Sequence, residues 1–385
     1  MLFDINNKQF IKSCRPILHK LYKEHKRTYI RLFFFEEDVR FNEFDLSPLI
    51  ETGIIKKIHY KFRANVQVFP LSGKYICTDF NYSAHRKIKN TYLTDKHGVW
   101  GILPEETPIL AKKAIVKKDD IVLDLATGSG MIGIFCADNA KRVIATDINP
   151  RTINYGQFNA ILNNVEEKIE FRMGDLFAPV KGLKFDLIIW NGPTVAVPET
   201  NGKYPIYSDG GMDGAGFTKR FIDEAFTYLK PQGRLQWYDC AVGTINSPVS
   251  LDYLKSKWVN RKIKIFFKSL TSTPVSLQKS FDIYAKYNLG ENKKTSQSNK
   301  DEVFKTPLSC KPVTLAEENR WHKWLKQKSY THFYYAWVEV YPNEKFELKM
   351  EFPKQDIRTD RYLTRYWLWM SYPLIVKKLK ICETY

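Results

Sequence analysis

Apolar and polar positions follow two rhythms along the chain. Between residues 119 and 267, short and almost wholly apolar runs recur at regular intervals, separated by stretches with helical spacing. The runs are Ile121–Leu125, Arg142–Asp147, Lys168–Met173, Phe185–Trp190, Arg234–Cys240 and Lys262–Phe267. Between them Met131–Ala140, Arg151–Asn163, Gly216–Leu229 and Leu251–Val259 read as helices. Strands apolar on both faces, alternating with helices, predict an α/β fold with a mostly parallel sheet covered on both sides.

Upstream the rhythm is mixed. Phe10–Glu24 reads as an amphipathic basic helix, Tyr29–Phe35 as a short strand or buried turn, and Leu46–Gly53 as a short helix with a Ser start and a Gly stop. Tyr60–Phe69 and Lys74–Phe80 alternate as strands, broken at Pro70-Leu71-Ser72-Gly73. Downstream, residues 288–312 are polar and rich in Lys, Ser and Asn, which predicts a long loop or insertion. Glu318–Gln327 and the aromatic-rich Arg361–Leu379 then read as helices, Tyr334–Tyr341 and Phe346–Phe352 as strands. The pattern divides into a small α+β domain at 1–95, a central domain at 96–344 and a C-terminal extension at 345–385.

Composition sharpens this in two ways. An apolar fraction of 44% over 385 residues is that of a folded protein with a large core. Cys14, Cys77, Cys136, Cys240, Cys310 and Cys382 are scattered with no C-x-x-C, which suggests neither a disulfide scaffold nor a metal site. The first thirty residues are charged throughout, and no stretch approaches about 18 apolar residues. A reduced cytoplasmic protein without a membrane partner is expected, and nothing in the pattern sets an oligomeric state. The net charge of +18 is unevenly spread: residues 119–245 carry 12 Lys/Arg against 16 Asp/Glu, so the flanks carry the whole positive excess. Basic flanks suit RNA or an acidic partner, and equally a solubilising surface.

The chemistry gathers at strand ends, where open α/β sheets bind ligands. Asp124 lies in the first apolar run, ahead of a turn, Ala126-Thr127-Gly128-Ser129-Gly130, that leads into a helix. Its glycines spell G-x-G-x-x-G with Gly133, the dinucleotide pattern. Asp147 ends the second strand, before Ile148 and Asn149, and suits ribose hydroxyls. Asp175 follows the third, in Gly174-Asp175-Leu176, and suits an adenine amino group. Asn191 follows the fourth, in Asn191-Gly192-Pro193-Thr194, and offers an amide beside main-chain carbonyls. An acid four residues before Gly128 would repel a pyrophosphate but not a cationic aminoacyl-sulfonium.

VLDLATGSG, ATDIN, GDLF and FDLIIWNGP, in that order and spacing, resemble motifs I to IV of the class I S-adenosylmethionine (SAM) methyltransferases. The subgroup they most resemble carries Asn-Pro-Pro-Tyr or Asn-Pro-Pro-Phe at motif IV and includes release-factor glutamine methyltransferases and N-methyltransferases of rRNA and tRNA. Leu103-Pro104-Glu105-Glu106-Thr107 and Ser208-Asp209-Gly210-Gly211-Met212-Asp213-Gly214 resemble flanking segments of the same enzymes. The resemblance implies a seven-strand sheet, its last strand, Tyr334–Tyr341, antiparallel beside the fifth. It implies SAM as cofactor, held by Asp124, Ala126, Thr127, Gly128, Gly130, Asp147, Ile148, Asn149, Asp175, Leu176 and Asn191. It implies a catalytic turn of Asn191, Gly192 and Pro193 that aligns the acceptor with an already activated methyl, needing no metal. Glu106, Thr194, Tyr204, Tyr207 and Asp209 are the candidates for the acceptor pocket.

Gly192 stands where the subgroup has its first proline, which keeps the carbonyl but loosens the turn, and Thr194 where it has the aromatic that packs against a planar acceptor. These departures point away from a glutamine amide or a nucleobase amine and toward a nitrogen or oxygen, as in an amine, a carboxylate or a hydroxyl, on a small molecule or peptide. Methylation of RNA or of a ribosomal or translation protein, a non-catalytic SAM-binding scaffold, and a dehydrogenase are the other readings. His97 and Trp190 are read as packing residues.

Overall fold

The glycine turn at residues 126–130 joins a buried strand to a buried helix in the computed structural model, which describes residues 3–34, 36–80, 97–99, 107–199, 202, 204–277, 303–304 and 313–355. Glu106, most of the 288–312 stretch and the expected helix Arg361–Leu379 lie outside them. The described residues fall into two compact units, 3–80 with 99–175, and 176–355 together with 97–98.

The first unit opens with helices α1 (Lys8–Glu24), α2 (Lys26–Phe33) and α3 (Ser47–Glu51), followed by the hairpins β1 (Ile55–Ile58) with β2 (Lys61–Ala64) and β3 (Gln67–Leu71) with β4 (Lys74–Thr78). Of the strand or turn expected at Tyr29–Phe35, Tyr29 to Phe33 belong instead to helix α2, and Phe35 lies outside the described residues. Tyr29, Leu32 and Phe33 at helical spacing bury one face, and the Tyr29 hydroxyl donates to the Val68 carbonyl at 3.0 Å. After α4 (Thr107–Lys113) the chain alternates through β5 (Ile121–Leu125), α5 (Met131–Cys136), β6 (Arg142–Asp147), α6 (Pro150–Leu162) and β7 (Ile169–Met173). The strands are parallel, β6 between β5 and β7.

One core runs through residues 3–80 and into α6: Leu18, Tyr29, Val68 and Tyr75 belong to the same buried cluster as Tyr155 and Phe158. Two asparagines at the end of α6 complete this packing. Asn159 accepts from the Cys77 amide at 2.8 Å and donates to the Cys77 and Ser129 carbonyls, both at 2.9 Å. One turn on, Asn163 accepts from the Tyr75 amide at 2.9 Å and donates to its carbonyl at 2.8 Å. The helix thus meets the edge of β4 through side-chain amides that imitate a neighbouring strand. Asn159→Ala would strand three buried backbone groups, each costing about 1–3 kcal/mol. The urea midpoint should fall by an amount equivalent to about 3 kcal/mol or more; an unchanged midpoint would refute this.

The second unit holds β8 (Phe185–Trp190), α7 (Gly216–Glu224), β9 (Leu229–Gly243), α8 (Val249–Trp258), β10 (Ile263–Ser269), β11 (Val275–Ser276), the short pair β12 (Val303–Phe304) and β13 (Val313–Thr314), α9 (Leu315–Gln327), β14 (His332–Pro342) and β15 (Glu347–Glu351). β8 is parallel to β9, and β14 is antiparallel to it, as expected for the last strand beside the fifth. β10 pairs antiparallel with β14 on its other side. Within the second unit six strands, β8, β9, β10, β11, β14 and β15, pair with one another, two more than the four that the seven-strand expectation leaves after β5, β6 and β7. The surplus is β11 on β14, and β15, which pairs parallel with β10 and draws the start of the expected extension into the sheet. Among the described residues no helix is long and apolar enough to cross a membrane.

Candidate active site

In the first unit the site is organised by buried carboxylates. Asp124, near the end of β5, is fully buried. Its Oδ2 accepts from the Thr127 hydroxyl at 2.5 Å and from the Gly133 amide at 2.8 Å, so one oxygen pins both ends of the glycine turn. Its Oδ1 is buried and has no hydrogen-bond partner. Burial, opposed by these two hydrogen bonds and assisted by the charge of Asp147, raises its pKa to about 7. A cation brought beside Oδ1 would meet a carboxylate short of a partner.

The turn itself is left-handed at three places, Ala126 (φ 55°), Gly128 (φ 56°) and Gly130 (φ 81°). A Cβ at Gly128 would meet nothing within 4 Å, so its surroundings are open to a ligand. A Cβ at Gly130 would lie 3.1 Å from the Gly156 Cα, so that glycine serves packing against α6. Asp147 closes the turn from β6. Its Oδ2 accepts from the Gly128 amide and its Oδ1 from the Asn149 amide, each at 2.9 Å. Asn149 is buried and caps α6, accepting from the Arg151 amide at 3.0 Å.

Beside Asp147 two apolar side chains stand unusually exposed: Ile148 at 57% and Met173 at 63%. Met173 pairs in register with Asp147 on the neighbouring strand. Two exposed aliphatic side chains at adjacent strand ends fit a flat apolar ring. Ile148 was legible in the sequence. Met173 was missed, and its place as the last residue of β7, opposite Asp147, is the signal that could have found it. Asp175 is exposed just beyond, and Leu176 is buried.

In the second unit Asn191 follows the last residue of β8 and is half-buried. Gly192 is held against the Trp190 indole: a Cβ built on it would overlap Nε1, Cε2 and Cζ2. The sequence suggested a loosened turn, and the structure shows a crowded one. The chain then runs beside the Ser208–Gly214 segment, with the Val195 amide donating to the Ser208 carbonyl at 3.1 Å and the Gly210 amide to the Val195 carbonyl at 2.9 Å. Thr194 is buried where Gly210 and Gly214 approach its backbone, which withdraws it from an acceptor-facing set. Tyr204 is likewise buried, clustered with Val195 and Val197. Tyr207 and Asp209 are half-buried, and Asp209 accepts from the Gly211 amide at 3.0 Å. Glu106 lies outside the described residues.

The raised pKa of Asp124 has a consequence for stability. Because the folded chain holds this proton more tightly than the unfolded chain, the stabilisation is fully present below about pH 4 and is lost as the pH rises through about 7. Asp239, buried on β9 and raised to about 6, acts in the same direction. Asp124→Asn should therefore flatten the decline in unfolding free energy between pH 4 and 8 by about 2–4 kcal/mol, measured in urea at each pH. Parallel curves for the two proteins would refute it.

Comparison with known proteins bears on which ligand this geometry serves. The family model for the methyltransferase small domain matches residues 94–239. A protein named as a putative N5-glutamine methyltransferase from Methanocaldococcus jannaschii is 39% identical over 137 residues, which cover 34% of this chain and 68% of that protein. A ribosomal protein uL3 glutamine methyltransferase from Bradyrhizobium diazoefficiens is 36% identical over 124 residues, 30% of this chain and 39% of that protein. A release factor glutamine methyltransferase from Koribacter versatilis is 32% identical over 154 residues, 37% of this chain and 52% of that protein. The chain thus spans about half or less of the two bacterial relatives. These matches displace the dehydrogenase reading of the glycine pattern. The chain belongs to the methyltransferase small-domain family of class I, S-adenosylmethionine-dependent methyltransferases.

Proposed function

We propose that this chain transfers a methyl group from SAM to a nitrogen, the side-chain amide of a glutamine in a cytoplasmic protein. The observation that carries the reading is the 39% identity with the archaeal protein named for N5-glutamine methylation. The Asn191-Gly192 turn supports it, since an amide nitrogen needs partners for its two N–H groups.

In this reading Asp124 faces the ammonium of the aminoacyl end, with Thr127 fixing its carboxylate. Ala126, Gly128 and Gly130 let the backbone approach, and Asn149 keeps the start of α6 in place. Asp147 receives the ribose hydroxyls on the second lone pairs of its oxygens. Ile148 and Met173 flank adenine, Asp175 accepts from its amino group, and Leu176 packs behind. Bound SAM supplies a methyl already activated by the sulfonium charge. Asn191 Oδ1 and the Gly192 carbonyl accept the amide N–H bonds and turn the nitrogen lone pair toward the methyl; as the N–C bond forms the C–S bond breaks, S-adenosylhomocysteine leaves, and one N–H proton is lost to solvent. Pro193 stiffens the turn, and Tyr207 and Asp209 border the acceptor. Positioning of this kind can supply up to about 7–11 kcal/mol of the barrier.

The test is to incubate the purified chain with methyl-labelled SAM and a cell extract, then separate protein, RNA and small molecules. Label on a glutamine amide, located by mass spectrometry, is the expected result. Label confined to the RNA or metabolite fraction would overturn the acceptor, and no transfer to any fraction would leave a SAM-binding scaffold.

A second reading, methylation of RNA, is favoured by charge. Besides the basic flanks, the second unit has a basic cleft lined by Lys184, Lys230, Arg261 and Lys262, which lies at the starts of β8 and β9, the strand ends opposite Asn191. Binding to an RNA oligonucleotide that falls steeply between about 50 and 200 mM salt would support it.

A further inference from the structure

The proline missing from the 191–194 turn leaves a mechanical question. A proline at 192 would fix φ and hold the carbonyl in place, whereas glycine is the residue that least constrains either. Yet the side chain packed against Gly192, two residues earlier in the chain, is large and buried. Trp190 is fully buried and stacks on Phe221 at 5.2 Å and 11°. Phe221 stacks in turn on Phe177 at 6.1 Å, and Phe177 on Tyr228 at 4.5 Å and 10°. A column of four rings therefore ends in the indole that underlies Gly192. The pyrrole edge of that indole fills the volume a Cβ would take, and its Nε1 is buried with no hydrogen-bond partner.

We infer that Trp190 is a positioning residue for methyl transfer: its indole occupies the space of the absent proline ring and acts as the floor on which Asn191 and the Gly192 carbonyl are held. Trp190 and Gly192 form an exchange pair, in which glycine is required because tryptophan is present. The inference rests on the reading of Asn191 and Gly192 as the acceptor-holding turn.

A double-mutant cycle on the full chain tests it. Trp190→Phe keeps a ring on Phe221 but removes the pyrrole edge, so it should fold. With the floor gone, kcat should fall about tenfold while the KM for SAM stays unchanged. Gly192→Ala in the native background drives a Cβ into the indole, and should cost about thirtyfold in kcat and lower the melting temperature by several degrees. In the Trp190→Phe background the same Gly192→Ala change should cost less than about threefold, with little further loss of melting temperature. Equal cost of Gly192→Ala in both backgrounds would overturn the pair, and wild-type kcat in Trp190→Phe would overturn the positioning role. The melting cycle needs no acceptor, and kcat is read with whichever labelled fraction receives the methyl. A wrong acceptor would therefore defeat the proposed function without silencing this test.

Discussion

Asn191→Ala should lower kcat by about 10²–10³-fold, with the KM for SAM changed by no more than a few-fold. The side chain comes directly after Trp190, the last residue of β8, whose final four residues are buried, so its base is anchored on a buried strand end. Its proposed work is to accept an N–H bond that matters only when the amide nitrogen is aligned for attack. Losing one preorganised group of this kind costs about 2.7–4 kcal/mol in well-studied sites, which is the source of the magnitude. Asn191→Asp retains an acceptor oxygen and should fall between wild type and alanine. Single-turnover transfer of labelled methyl, at saturating SAM, is the measurement. A tenfold or smaller loss would mean that the Gly192 carbonyl alone holds the acceptor, or that the acceptor has no N–H to hold.

Asp147→Ala should act on the other substrate. Its carboxylate fixes the Gly128 amide and the Asn149 amide, so it shapes the turn and the start of α6 at once. Two charge-assisted hydrogen bonds at about 1.5–3 kcal/mol each, together with those proposed to ribose, exceed what the binding can lose without consequence. SAM affinity should fall by about 10²–10³-fold by titration calorimetry, while kcat at saturating SAM is largely retained. Affinity within threefold of wild type would refute the assignment. Asp147→Asn keeps one accepting oxygen and should give an intermediate loss.

Much of this site was legible before the structure because strand ends in an open α/β sheet are fixed by apolar runs, and those runs are unambiguous here. β5, β6 and β8 begin and end at the expected residues. What was not legible has a common cause: it depends on contacts distant in sequence. Tyr29–Phe35 reads as a short strand or buried turn, and only the partners of Tyr29, Leu32 and Phe33 put Tyr29 to Phe33 in a helix. Thr194 and Tyr204 lie in a loop that reads as acceptor-facing until Gly210 and Gly214 are seen to close over the first and Val195 and Val197 to surround the second. The glycine at 192 looked like a loss of rigidity because the ring that compensates for it is a neighbour whose orientation no periodicity reports.

The amide side chain of Asn159 reaches the Cys77 backbone and the Ser129 carbonyl together. A single residue thereby ties the amino-terminal hairpin to the glycine turn, which makes the two hard to separate as engineering modules. A version trimmed to the family-matched stretch would lose the β4 backbone edge that Asn159 satisfies. Substitutions around Cys77 and substitutions around Ser129 should accordingly be inherited as a set, although more than fifty residues of sequence lie between them.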